Sequence, residues 1–260
     1  MRRWDFITYY EQAERFLVAA AITNNVISNA INYLVGELLK NNLWNKCYAV
    51  YPIVGGTAST HKFNLINPQD TDAAYRLNFV GGITHSSNGM QGNGTTGYAN
   101  TFFNPTTAGV SINNFGFGVH SRTNQARLEV DMGARNAVNT GVSMLLIRDN
   151  NNISQHQINN NLAGTITQAS ITNSAGNFGQ NRTASNVIRI CRNGTFTQFT
   201  QASGGLTNRN IALMALLTNA TYGSFSSKQY TFFRIHQGLT DAEETIFQNI
   251  ITNFNTLLGR

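Results

Sequence analysis

The sequence is short of charge. Asp, Glu, Lys and Arg make up 12% of its 260 residues, about half the usual fraction. Twelve acids face 18 bases, for a formal charge of +6 and a pI near 9.5. The bases are scattered, with one doublet at Arg2-Arg3. Phosphate-tracking proteins gather charge along one face or arm, so nucleic acid is excluded as the expected partner and mild attraction to an acidic surface remains. Cysteine is nearly missing: Cys47 and Cys191 make no disulfide framework and are expected as buried thiols. No apolar run approaches the ~18 residues of a membrane span, and Asp5, Glu11 and Glu14 interrupt any leader-like stretch. Nucleophile-elbow and P-loop motifs are absent, and no fixed-period repeat supports a propeller or β-helix.

What is present is amide and glycine. About 36 residues are Asn by count and 23 are Gly, set between short apolar alternations, the pattern of brief strands joined by residues that tolerate positive φ. Residues 46–53, 75–80, 112–121, 127–133, 142–148, 186–192, 195–201, 211–218 and 229–236 read as strands. Asn193-Gly194 between two of them predicts a two-residue type I′ hairpin. Residues 85–97, HSSNGMQGNGTTG, read as a long polar loop and the first place to look for a ligand. Between 149 and 183 the run of Asn, Ser, Gln and Gly predicts irregular loops with one or two short strands.

Helices flank the strands. Residues 6–21 and 24–40 carry apolar side chains at three- and four-residue spacing, with Thr23 as expected N-cap of the second. Trp44 is expected as a packing anchor. Thr240 with Glu243 forms a capping box opening a third helix, whose Arg260 would complement the helix dipole. Residues 1–45 are thus a helical segment suited to docking or oligomerisation, and 46–260 one sandwich ending in a helix. A chain this long buries roughly 70–75% of its unfolded surface.

Chemistry is sparse. Glu129 and Asp131 alternate on an expected strand and so share a face, the placement a carbohydrate-active enzyme would need for paired acids. The favoured expectation is a solvated or Arg-paired face, with Arg127 and Arg135 nearby. Asp70 and Asp72 could offer oxygen ligands to calcium, but ordinary turn chemistry is favoured. His61, His85, His120, His156 and His236 fall in unrelated segments and are expected as surface or loop residues.

YPIVGG at 51–56, KFNL at 62–65, PQDTDAA at 68–74, THSS at 84–87, GYANTF at 97–102, SRTN at 121–124 and GLTDAE at 238–243 together resemble phage virion proteins of the tail- or head-fibre type. Such proteins occur in phages of Bacteroidetes, crAss-like phages included. The resemblance spans roughly residues 50–260. It implies an all-β, concanavalin A-like (laminin-G-like) jelly-roll sandwich with two N-terminal helices and one C-terminal helix. It further implies a non-enzymatic structural or attachment role in the virion, with other virion proteins, copies of itself (commonly a trimer in fibres) and host-surface glycan as partners, and no cofactor. The glucanases of this fold carry a further acid on the catalytic strand. Here Met132, Gly133 and Ala134 follow Asp131 instead, which argues against hydrolysis.

Overall fold

The computed structural model describes residues 9–136 and 140–260. Phe6, placed in the first helix, and the Arg2-Arg3 doublet lie outside the described residues. Among the described residues, four helices accompany the strands: α1 (Glu11–Ala19), α2 (Asn25–Lys40), the single turn α3 (Ala58–His61) and α4 (Asp241–Leu257). The strands are β1 (Cys47–Pro52), β2 (Asn78–Val80), β3 (Ile83–Ser86), β4 (Gly89–Gly92), β5 (Tyr98–Asn100), β6 (Phe115–Ser121), β7 (Met132–Arg135), β8 (Val142–Leu146) and β9 (Ser154–Asn160). They continue with β10 (Ile166–Gln168), β11 (Gly176–Ala184), β12 (Val187–Arg192), β13 (Thr195–Thr200), β14 (Ala212–Leu213), β15 (Leu216–Thr218), β16 (Thr221–Gly223) and β17 (Gln229–His236).

They form a sandwich of two sheets. Sheet 1 runs β13-β12-β11-β6-β17-β4-β3, with β1 also on β17; sheet 2 runs β10-β9-β8-β7-β14-β5-β2, with β15 on β7 and β16 on β15. All pairs are antiparallel except β15 with β7. The inward faces interdigitate through Tyr51, Phe103, Phe115, Phe117, Leu145, Ile158, Leu213 and Phe233, all buried. Each such side chain contributes roughly 1.5–3 kcal/mol by leaving water.

The outward faces are treated differently. Sheet 1 is roofed by α1, α2 and α4, whose apolar stripes meet Val50, Val54 and Phe232. Under α4 a buried Arg234–Glu244 ion pair is completed by Asn181 and Gln248, with the guanidinium over the Phe247 ring at 4.5 Å. Gly118 and Gly179 leave the room this pair fills, since a methyl group at either would overlap it. Sheet 2 has no such roof among the described residues; its outer side carries a small apolar patch of Val130, Val142, Met144, Leu146 and Leu216.

Several expectations change in detail. Asn24, not Thr23, caps α2, accepting from the amides of Val26 and Ile27 at 3.0 and 3.1 Å. The strand expected over 75–80 shrinks to β2 because a turn at Asp72–Ala74 ends on Tyr75 with φ 60, although Tyr75, Leu77 and Phe79 do share the inter-sheet core. Half of the expected 85–97 loop is hairpin, β3 pairing with β4. The polar stretch 149–183 holds β9 and β11, of seven and nine residues. Their amides are buried rather than solvated. Gln180 Nε2 donates to the carbonyls of Met144 and Gln157 at 3.0 Å each, and Arg182 donates to those of Ile158 and Gln201 at 2.9 and 2.8 Å, tying one sheet to the other. Arg260 does not cap the helix carbonyls; its guanidinium reaches Ser87, Ile53 and Asn255. Both cysteines are buried free thiols, pushed up to about 12 chiefly by burial.

Candidate functional site

Glu129 and Asp131 do share a side, but on an irregular approach to β7 rather than on an exposed strand. They are 3% and 0% exposed. A residue the sequence reading missed, Lys228, lies between them, its Nζ 3.1 Å from Asp131 Oδ1 and 3.7 Å from Glu129 Oε2. The closer contact is an ion pair out of line for a hydrogen bond. Asp131 also accepts from the Ile147 amide at 2.7 Å and from the Tyr230 hydroxyl, and Glu129 accepts from Ser227 Oγ at 2.7 Å and the Ser227 amide at 3.0 Å, with Arg127 Nε 3.2 Å away. Burial and the neighbouring Asp131 charge push the Tyr230 phenol well above its usual range. Acids so enclosed, and with their oxygens engaged, cannot reach a glycosidic bond. The signal was present: Lys228 is the one charged residue between Arg209 and Arg234.

Asp70 binds Lys62 at 2.5 Å and Arg76 at 3.1 Å, and Asp72 binds Arg76 at 2.9 Å, so this turn's carboxylates are matched by cations. The Lys62 hydrogen bond holds the Asp70 carboxyl below its ordinary value. Among the described residues, no group of three or more His, Cys, Asp or Glu is placed to hold a metal ion. The histidines are not surface groups as a set: His61, His156 and His236 are buried. His61 and His85 meet, with 2.9 Å between their Nδ1 atoms. Burial, then the charges of His85 and Arg260, push His61 down to about 3.

A concave feature lies on the unroofed side. A groove of about 560 Å³ runs along the β15–β16 hairpin, lined by Arg135, Thr218, Asn219, Thr221, Tyr222 and Ser224 among others. Asn219, with φ 55, closes the tight turn. Tyr222 is half-buried and stacks on Tyr98 of β5 at 3.7 Å and 18°, with Phe225 behind Tyr98. Arg135 Nε donates to Thr218 Oγ1 at 2.9 Å and Arg209 Nη2 to Asn219 Oδ1 at 2.5 Å, so both guanidinium groups brace the turn. A stacked aromatic, the fixed Arg135 cation and several hydroxyls around an open groove are suited to a polar, ring-shaped ligand. The groove's floor ends where Val130 takes the Ser224 carbonyl, next to the acid cluster, which stays below the surface.

No family model matches the sequence, and no curated protein matches it. Solved structures do share the fold. Domain 4 of AbnA, an extracellular arabinanase from Geobacillus stearothermophilus solved with arabinotriose, is 13% identical, with a TM-score of 0.53, covering 78% of this chain and 98% of that one. The binding domain of botulinum neurotoxin serotype D/C is 12% identical with a TM-score of 0.54, and the match covers 82% of this chain and 53% of the toxin chain. A structure of botulinum neurotoxin type C, a toxin whose cell entry depends on interaction with two ganglioside molecules, gives 12%, 0.55, 84% and 53%. The chain spans about half of the toxin chains' length. At such identities the likeness establishes architecture. The protein is a lectin-like β-sandwich with its helices on one face.

Proposed function

We propose that this chain is a non-enzymatic attachment module whose unroofed face contacts glycan. The observation that carries the reading is the β15–β16 groove, where Tyr222 stacked on Tyr98 stands beside Arg135 and Asn219. The fold neighbours named for arabinotriose and gangliosides support it, and the enclosure of Glu129 and Asp131 by Lys228 supports a binding rather than a cleaving role. In its finer form the reading places the chain in a phage virion, as part of a tail or head fibre built from copies of itself, made in the host cytoplasm. The resemblance of the seven sequence segments supports this. Exposed Val18, Tyr10 and Val26 on the helical segment are the apolar surface such a neighbour would cover.

Two experiments test it. On a glycan array, wild type is retained on a defined subset and Tyr222→Ala loses that retention; an array with no retained glycan removes the binding reading. Mass spectrometry of purified virions finds the chain, and its absence from particles removes the virion reading while leaving the other standing.

A further inference from the structure

Positive charge from distant parts of the chain meets at the tip of the β3–β4 hairpin, away from the β15–β16 groove. Arg122, just past β6, donates from Nη1 to the Asn88 carbonyl at 3.3 Å. Arg260, beyond α4, donates from Nη1 to the adjacent Ser87 carbonyl and from Nη2 to the Ile53 carbonyl, both at 2.7 Å. Two guanidinium groups are therefore fixed on consecutive carbonyls of one turn. Among the described residues, no Asp or Glu side chain lies within ion-pair distance of either.

Like charges so held repel, and in a partly buried setting the repulsion is screened less than in open water. The surroundings respond accordingly: burial, then Arg122, push Arg260 down to about 10, and His120 behind the turn is pushed down to about 4 by burial and the same two arginines. His120 is therefore neutral near pH 7, so the site's charge comes from the two arginines. Ser87 and Asn88 are exposed, and on the Arg260 side a depression of about 330 Å³ opens, lined by Arg260, Ser87 and Asn24 and by apolar Val26, Ile27 and Leu258. Of five N–H donors each, Arg122 keeps four beyond its bond to Asn88 and Arg260 keeps two beyond its bonds to Ser87, Ile53 and Asn255, in the fork geometry that suits carboxylate, sulfate and phosphate oxygens.

We propose that Arg122 and Arg260, set on the Ser87-Asn88 turn, form a binding site for an oxyanion, either free or carried on an acidic or sulfated sugar. An anion between the two cations replaces their repulsion by two charge-assisted contacts. The site is independent of the glycan groove and stands or falls separately.

The test is a titration of the full chain with sodium sulfate against sodium chloride at matched ionic strength, followed by the amide shifts of Ser87 and Asn88. A parallel arm uses a sulfated disaccharide and its unsulfated parent. Saturable shifts are expected with sulfate, the sulfated sugar or both, and Arg122→Gln, an exposed position, is expected to weaken them about tenfold, the loss of one charged hydrogen-bonding partner. Arg15→Gln on α1 should change nothing. Saturation by the salt assigns recognition to the group itself; saturation by the sulfated sugar alone assigns it to a glycan-borne group; both uphold the site. Linear shifts in both arms, or saturable binding indifferent to Arg122→Gln, overturn it.

Discussion

The two outer faces of the sandwich solve the same problem in opposite ways. Sheet 1 carries large apolar side chains outward, Val50 and Phe232, and closes them under three helices, with the Arg234–Glu244 pair sealed beneath α4. Sheet 2 turns outward only a small apolar patch, and it holds the shortest strand, β14, together with the three-residue strands β2, β5, β10, β15 and β16. A roofed face is committed to stability. An unroofed one keeps polar and aromatic groups available, which is why the groove lies there and why mutations should separate the two.

The largest effect belongs to the roof. Phe232→Ala removes a fully buried ring that meets Phe247 and Phe254 edge-on, and urea unfolding should register a loss of about 4 kcal/mol. Lys228→Met, which removes the buried cation between Glu129 and Asp131, should cost about 3 kcal/mol in urea unfolding at neutral pH; an unchanged midpoint would deny the charge network. Acid should loosen the roof by itself. Burial and Arg234 push His236 down to about 4 from 6.5. The unfolded chain therefore takes a proton near pH 6.5 that the folded chain refuses until about 4. Stability is full above 6.5 and falls through that window, by about 3 kcal/mol, read as faster amide exchange in α4 and absent in His236→Gln. The smallest effect on folding belongs to the groove: Tyr222→Ala should shift stability by less than about 1 kcal/mol while costing about tenfold in glycan affinity by calorimetry.

How much of this was legible in the sequence follows the same division. Residues 229–236 were expected as a strand and β17 has those bounds. Asn193 and Gly194 take φ 47 and 79, as the I′ turn demands, and Thr240 caps α4 with Glu243 as its box partner. These are local signals, each set by two to eight neighbouring residues. The strands left unplaced within 149–183, β9 and β11, each bury a single large apolar side chain, Ile158 and Phe178, among Gln157, Asn160, Gln180 and Arg182, so alternation of hydrophobicity could not locate them. Gln180 and Arg182 find their partners across the sandwich, a long-range fact. Glu129 and Asp131 were found, but their burial depends on Lys228 and Tyr230, far along the chain. The groove was invisible for the same reason: Tyr98 and Tyr222 meet only after β5, β14, β7 and β15 have joined. The polar 85–97 segment drew attention as a ligand loop, and it is the arginines gathered at its turn, rather than its own side chains, that give that hairpin its charge.

The most direct measurement is hydrogen–deuterium exchange on the full chain with and without a glycan retained on the array. The account predicts protection confined to Thr218, Asn219, Thr221–Gly223 and neighbouring Arg135, with α1, α2 and α4 unchanged. Protection on the helix-covered face instead, with the β15–β16 hairpin unaffected, would contradict it.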